Sequence, residues 1–443
     1  MRRFIIEDLL KWKKSKHRKP LILKGVRQAG KTWILLEFGR LYYKNIAYFN
    51  FDEQKELAAF FQTTKNVNRL LQNLSMACAA PITAGETLII FDEIQESNDA
   101  LNSLKYFCEN APEYHVACAG SLLGITLSKP SSFPVGKVDF LTIHPMTFTE
   151  FLHANGDGDL ADYIKSIDSI EPIPDLFFNR LLEKLKMFFI TGGMPEAVRA
   201  WAEDKNLPLV QSCLKNILDA YELDFSKHAD IKDIARLALI WRSMPSQLSR
   251  ENKKFLYSVI KEGARAREYE DALTWLCSAG MVHKVFRVTK PGLPISAYED
   301  LTAFKIYSVD VGLLRRLSNL APVAFNEGAR LFTEFKGALS ENFILQGLVS
   351  RYGELPGYWT SEAKAEVDFI IQRHNDIIPI EVKSDVNVSS RSLAVYAQKY
   401  EAETKVRVRF SLKNLKKDGD LVNIPLFLVD YIDQILELSI KNR

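Results

Sequence analysis

The segment GVRQAGKT, Gly25 to Thr32, sets two glycines, a lysine and a threonine at the spacing G-x-x-x-x-G-K-T, between a short apolar run (PLILK) and a helical pattern (WILLEFGRLYY). Gly25 and Gly30 allow a tight turn that aims backbone N–H groups inward, with Val26, Arg27, Gln28 and Ala29 as the loop between them. Lys31 can reach β- and γ-phosphates, and Thr32 can offer its hydroxyl to Mg²⁺. Further along, LIIFDE closes a buried-strand run with Asp92 and Glu93. One carboxylate there can hold the Mg²⁺ shell while its neighbour polarises an attacking water. Glycine turns and acidic strand ends are each common, but together they predict binding and hydrolysis of a nucleoside triphosphate. No guanine-reading N-K-x-D follows the fourth strand run, so ATP is the expected nucleotide. Ser121, which ends HVACAGS, stands where a polar side chain could sense a γ-phosphate or, equally, cap a turn.

A second constellation lies near the other end. The runs AEVDFIIQ and IIPIEVKS read as neighbouring strands, and alternation puts Glu366 and Asp368 on one face, as it does Glu381 and Lys383. Asp368 and Glu381 could then coordinate Mg²⁺, with Lys383 orienting a water for attack on phosphate and Glu341 joining from the preceding helix. The arrangement resembles the PD-(D/E)xK, or restriction-endonuclease-like, fold, which would place Gln398 and Lys399 where related nucleases carry a phosphate-facing polar residue. Half-exposed strands also read E-V-D-F and E-V-K, so a retained fold with a silent site is the competing interpretation. Lys405, Arg407 and Arg409 alternate onto one face of the next strand, which is expected to be open to solvent or to a polyanion.

These groups need scaffolds. With 443 residues, 47% hydrophobic and 26% charged, the chain is long enough for several cores and too apolar for disorder. Over the first part, short apolar runs alternate with helical patterns, which predicts a parallel sheet covered by helices. The opening MRRFIIEDLLKWKKSKHRKP reads as a basic amphipathic helix, not a secretory segment. No apolar run approaches the ~18 residues of a membrane span, so no membrane association is expected. Five dispersed cysteines without C-x-x-C pairs suggest reduced thiols and a cytoplasmic setting. The formal charge of +3 gives no global nucleic-acid signal. His228 and His283 lack partners at ligand spacing.

From Pro20 to Leu152 the motifs GVRQAGKT, IIFDEIQE, ACAGSLLG and FPVGKVDFLTIHPMTFTEF, in that order, resemble the AAA-type ATPase domain of many bacterial and archaeal proteins. The resemblance implies a sheet ordered 5-1-4-3-2 and a sensor role for Ser121. Some relatives have Gly-Arg where this chain has Gly136-Lys137, so no arginine is assigned to a neighbour's active site. GGMPEAVRAW, SMPSQLSRENKKF, GARAREYEDALTWLCSAGMV, FKIYSVDVGLL and SENFILQGLV resemble the companion region of the same family. Between Leu239 and Pro294 the pattern outlines a winged helix, with MVHKVFRV turning into ISAYE and Arg265 and Arg267 near the start of a recognition helix; a helical packing module that never touches DNA fits equally. The expected architecture is an α/β multidomain chain. It comprises an ATPase domain over residues 1–150, a helical linker or lid over 151–238, a winged-helix-like part over 239–330 and a restriction-endonuclease-like α/β domain over 331–443. The expected function is Mg²⁺-dependent ATP hydrolysis that controls a DNA-binding or nuclease-like domain. The alternative is a nucleotide-dependent switch or scaffold that binds a protein partner.

Overall fold

The computed structural model describes residues 1–120, 134–250, 253–322, 330–362, 365–384 and 391–441. They form two compact units: 2–144 with 278–280, and 145–277 with 281–443 and Met1.

The first unit holds five strands, β1 (Leu21–Lys24), β2 (Asn45–Asn50), β3 (Thr87–Asp92), β4 (His115–Ala119) and β5 (Asp139–Thr142). All pair in parallel in the order β2-β3-β4-β1-β5, which is the expected 5-1-4-3-2 read from the other edge. A sheet covered on both faces needs continuous apolar strands, and every residue of TLIIFD in β3 is buried. Under one face Phe91 lies 5.6 Å, centroid to centroid, from each of Phe51 and Phe61 and 6.2 Å from Phe107. Such aromatic pairs each add about 0.5–1.5 kcal/mol beyond the area they bury. The opening basic segment forms the helix Ile5–Lys14, which buries Leu9 and Trp12. Its Trp12 indole N–H donates to the Lys19 carbonyl at 2.8 Å.

The second unit is mostly helical from Phe148 to Cys277 and then builds a mixed sheet from Val282. Its strands are β6 (Val282–Val288), β7 (Glu299–Ser308), β8 (Gly357–Thr360), β9 (Glu366–Arg373), β10 (Asp376–Val382), β11 (Arg407–Ser411), β12 (Lys416–Asp418) and β13 (Leu421–Pro425), in the order β12-β13-β11-β10-β9-β8-β6-β7. The hairpin outlined from sequence is present as β6 and β7, but its second strand begins at Glu299. Pro291 and Pro294 cannot donate to a ladder, and Ile295–Tyr298 is a single 3₁₀ turn. The hairpin is also not a free wing, because β6 pairs with β8 and so extends the C-terminal sheet.

A buried junction holds the helices of this unit to the segment after β7. Gly192 sits at φ +68° after the helix Asp175–Thr191, and Pro195 opens the next helix. The Asp310 carboxylate accepts the amide of Gly193 at 2.6 Å, that of Leu313 at 3.0 Å and the Gln346 carboxamide at 3.2 Å. The fully buried Arg315 guanidinium donates to the Ile190 carbonyl at 3.1 Å and to Gln211 at 2.8 Å, and burial lowers its pKa to about 10. A Cβ on Gly193 would lie 2.2 Å from the Met146 carbonyl oxygen. Gly193→Ala is therefore expected to lower the unfolding free energy by about 2 kcal/mol. Gly337→Ala, whose Cβ would meet nothing closer than Ser384 Oγ at 3.9 Å, should lose nothing and gain up to about 1 kcal/mol of helix propensity. Urea unfolding of the two variants provides the comparison, and equal midpoints would contradict the packing argument.

Candidate functional site

In the first unit, the strand-loop-helix context of GVRQAGKT forms as expected. The loop leaves β1 at Gly25 (φ +149°), passes Gln28 (φ +64°) and enters the helix Lys31–Tyr42 from Gly30 (φ +91°). Gly25 is required by space as well as by conformation, since a Cβ there would lie 2.3 Å from the Ile143 carbonyl oxygen. Ala29 is fully buried, and its amide reaches back to the Val26 carbonyl at 3.3 Å. Lys31 is 7% exposed and its ammonium donates to the carbonyls of Gly25 at 2.8 Å and Val26 at 2.9 Å.

Asp92, at the end of β3 and 4% exposed, gathers three donors. The Thr32 hydroxyl and the Tyr48 phenol each donate to Oδ2 at 2.8 Å, and the Glu93 amide donates to Oδ1 at 3.0 Å. Burial and the Asp92 hydrogen bond raise the Tyr48 pKa, so this phenol stays protonated at neutral pH. Glu93 has a left-handed backbone (φ +47°, ψ +43°), uncommon for a residue with a side chain, and its carboxylate accepts a hydrogen bond from the Gln95 carboxamide. Thr32, Asp92 and Tyr48 present hard oxygen donors in one place, the chemistry Mg²⁺ requires. Tyr48 and Gln95 were not singled out in the sequence. The pairing of Tyr48 with Ile90 puts the phenol beside the end of β3, and no local motif announces that. Ser121 lies outside the described residues. Lys137, following Gly136, pairs with Glu109 at 2.9 Å on the surface.

In the second unit, Glu341, Asp368, Glu381 and Lys383 do come together. The β9–β10 register puts Ile380 opposite Phe369, and the Val382 amide donates to Asp368 Oδ2 at 2.7 Å. Lys383 Nζ lies 2.9 Å from Glu381 Oε1, while Glu381 Oε2, on a side chain only about 2% exposed, has no hydrogen-bond partner among the described residues. Two further lysines enter. Lys305 of β7, fully buried, bonds Glu366, and Lys253 bonds Glu341, which also accepts from the Tyr307 phenol at 3.2 Å. Four carboxylates thus face three ammonium groups. Among the described residues no group of three or more His, Cys, Asp and Glu side chains is disposed to hold a metal ion.

The charges divide the carboxylates. Burial would raise the Glu341 pKa, but Lys253 and Lys305 outweigh it and hold Glu341 below its ordinary value. At Asp368, burial and the Glu341 charge win over Lys305 and Lys253 and push the pKa up to about 7. Burial works against the charge on Lys305, but Glu366, Glu341 and Asp368 raise its pKa. Gln398 is exposed on the helix Arg391–Lys399 and has no hydrogen bond to the cluster, while the Lys399 ammonium lies 5.6 Å from the Tyr400 ring centre. The expected shared face forms, with Val406, Val408 and Phe410 buried behind it and the Lys405 side chain 60% exposed, but its cations are paired. Arg407 forks onto Asp420, Arg409 donates to Asn423 at 2.8 Å and Lys405 pairs with Asp376 at 2.5 Å, because acidic and amide side chains on adjoining segments meet each of them. Arg265 and Arg267 are exposed at the start of the helix Ala266–Ser278. The His228 side chain lies outside the described ones.

Residues 17–152 match a family described as an AAA domain. Over those residues the first unit is similar to an AAA domain, in keeping with its P-loop fold. Residues 182–324 and 336–427 match two domains of unknown function (DUF8612 and DUF4143), neither described as an endonuclease. No curated protein matches the chain. Among solved structures, similarity extends to a Walker-type ATPase of Pyrococcus abyssi at 14% identity, covering 70% of this chain and 95% of that one with a TM-score of 0.42. It also extends to the Orc1 protein of Aeropyrum pernix, solved in complex with DNA, at 12% identity, covering 72% and 91% with a TM-score of 0.25. No described helix is long and apolar enough to cross a membrane.

Asp368 has a sign-definite consequence. With a folded pKa of about 7 against ~3.9 unfolded, the folded protein keeps between those values a proton that the unfolded chain releases, so stability falls as pH rises through that window. Asp368→Asn keeps an acceptor for the Val382 amide and removes the titration. Relative to wild type it should gain at least about 1 kcal/mol on going from pH 5 to pH 8, measured by urea unfolding; parallel pH profiles would refute the assignment.

Proposed function

We propose that the protein is a Mg²⁺-dependent ATPase in which the nucleotide state governs what residues 145–443 bind. The observation that carries the reading is the convergence of the Thr32 hydroxyl, the Asp92 carboxylate and the Tyr48 phenol at the end of the Gly25–Lys31 loop. Backbone amides of Val26 to Gly30 and the Lys31 ammonium would hold the phosphates, and Thr32 and Asp92 would hold Mg²⁺. When bound, the cation neutralises charge on the β- and γ-phosphate oxygens. Glu93 would take the proton of the attacking water, with Gln95 orienting its carboxylate. Lys137 stands where some relatives supply an arginine, and a slow turnover follows from that difference.

For residues 145–443, the protein-partner reading is favoured over a nuclease. Lys253, Lys305 and Lys383 occupy the carboxylates that a divalent cation would need, and their charge opposes a second cation there. Beside β11, Arg407 is likewise engaged by Asp420, while Lys405 pairs with Asp376 and stays largely exposed.

Lys31→Ala should lose most ATP affinity in calorimetry. Glu93→Gln should still bind ATP while phosphate release falls at least about tenfold, the low end of a lost general base. Unchanged affinity in the first variant, or unchanged turnover in the second, would overturn the assigned roles. On plasmid, branched and single-stranded DNA with Mg²⁺ and ATP, the wild type should show no more nicking than Asp368→Ala, and no salt-sensitive binding. Nicking that disappears in both Asp368→Ala and Lys383→Ala would instead restore the nuclease.

A further inference from the structure

Arg3 is only 6% exposed although it lies three residues from the chain start, immediately before the helix Ile5–Lys14. One guanidinium nitrogen donates to the Ala29 carbonyl at 3.2 Å, and the other donates to the His144 carbonyl at 2.7 Å. The side chain thus bridges the phosphate loop and the segment that follows β5. The same segment meets the loop's other end, where Gly25 packs against the Ile143 carbonyl.

The Ala29–Gly30 peptide is the hinge between loop and helix, and Gly30 is free to adopt many backbone angles. A trans peptide holds its C=O and its N–H on opposite sides of one plane. Fixing the Ala29 oxygen therefore fixes the direction of the Gly30 N–H, one of the amides that a phosphate at this helix start would use. Lys31 ties down the carbonyls of Gly25 and Val26, so Arg3 secures the stretch of loop that Lys31 leaves open. Two carbonyls approached from one planar fork suit arginine, whereas lysine offers a compact point charge. We propose that Arg3 is a positioning residue for nucleotide binding, setting the Ala29–Gly30 peptide so that the loop meets the phosphates already shaped. This rests on the reading of the loop as an ATP site.

The helix after Arg3 stays anchored through Leu9 and Trp12, so Arg3 variants of the full chain are expected to fold. Arg3→Met removes both hydrogen bonds, and Arg3→Lys can restore one. In the full-length protein, KM for MgATP should rise about tenfold or more in Arg3→Met and by an intermediate amount in Arg3→Lys. Turnover at saturating ATP should stay within about twofold, because Arg3 touches no reacting atom. Hydrogen exchange without nucleotide should quicken over residues 25–34 and stay unchanged over β3 and β4. An unchanged KM, a loss confined to turnover, or faster exchange throughout the first unit, the mark of a merely structural role, would each overturn the proposal. Should the wild type bind no ATP, the ATP reading fails by itself. The exchange arm then still decides, with faster exchange confined to 25–34 supporting the clamp and its absence refuting it.

Discussion

The architecture around the Gly25–Thr32 loop turns on one carboxylate. Asp92 is buried at the end of the strand between β2 and β4, where an anion without partners would cost several kcal/mol. Three donors meet that requirement, and each comes from a different place: Thr32 from the helix after β1, Tyr48 from β2 and the amide of Glu93 from the chain leaving β3. The sheet order is thereby tied to the chemistry. Only with β3 next to β2, and the helix after β1 running past both, can these donors reach one oxygen pair.

The cluster around Glu341 in the second unit treats buried charge in the opposite way. Its carboxylates are met chiefly by ammonium groups, and two of those, Lys253 and Lys305, come from outside the 331–443 region in which the nuclease-like pattern was read. Lys305 reaches Glu366 because the β6–β7 hairpin joins the sheet beside β8. A hairpin with an exposed wing would not carry that lysine inward. Lys305 acts on both Asp368 and Glu341, and it is Lys253 that makes them part company. Lys253 bonds Glu341 directly, so that carboxylate keeps its charge, and Asp368, close to that charge and served by one backbone amide, takes the proton.

What the sequence made legible was local or periodic. The phosphate loop, the acidic strand end and the order of alternating runs depend on neighbours in the chain, and the strand over Glu366–Arg373 follows from its apolar run. Tyr48, Arg3 and Lys305 depend on register and on contacts across as many as 141 residues, so no spacing reveals them. The strand expected at ISAYE begins only at its last residue, because Ile295–Tyr298 closes a 3₁₀ turn and the Ile295 amide donates to the Gln372 side chain instead of to a ladder. The row Lys405, Arg407 and Arg409 was legible as a shared face. Its partners Asp376, Asp420 and Asn423 were not, because they sit on other strands or turns.

The lysine of the phosphate loop shows why a preformed site and a tight one are different things. The Lys31 ammonium already makes hydrogen bonds of 2.8 and 2.9 Å to loop carbonyls, so on the proposed ATP reading a phosphate would have to replace these contacts. A hydrogen bond with one ionised partner contributes about 1.5–3 kcal/mol net, and a contact between ammonium and phosphate would add the attraction of opposite charges. Lys31 would therefore supply a Coulombic gain that its carbonyl contacts do not. A second gain would lie in what the loop does not have to do on binding. Gly25 and Gly30 already hold their positive φ angles, and the Ala29 carbonyl is already held, so little backbone entropy remains to be lost when phosphate arrives. An affinity built this way would depend on the fixed shape of the loop as well as on the lysine charge, and would be sensitive to anything that moves the segment after β5, to which both Gly25 and Arg3 are fastened.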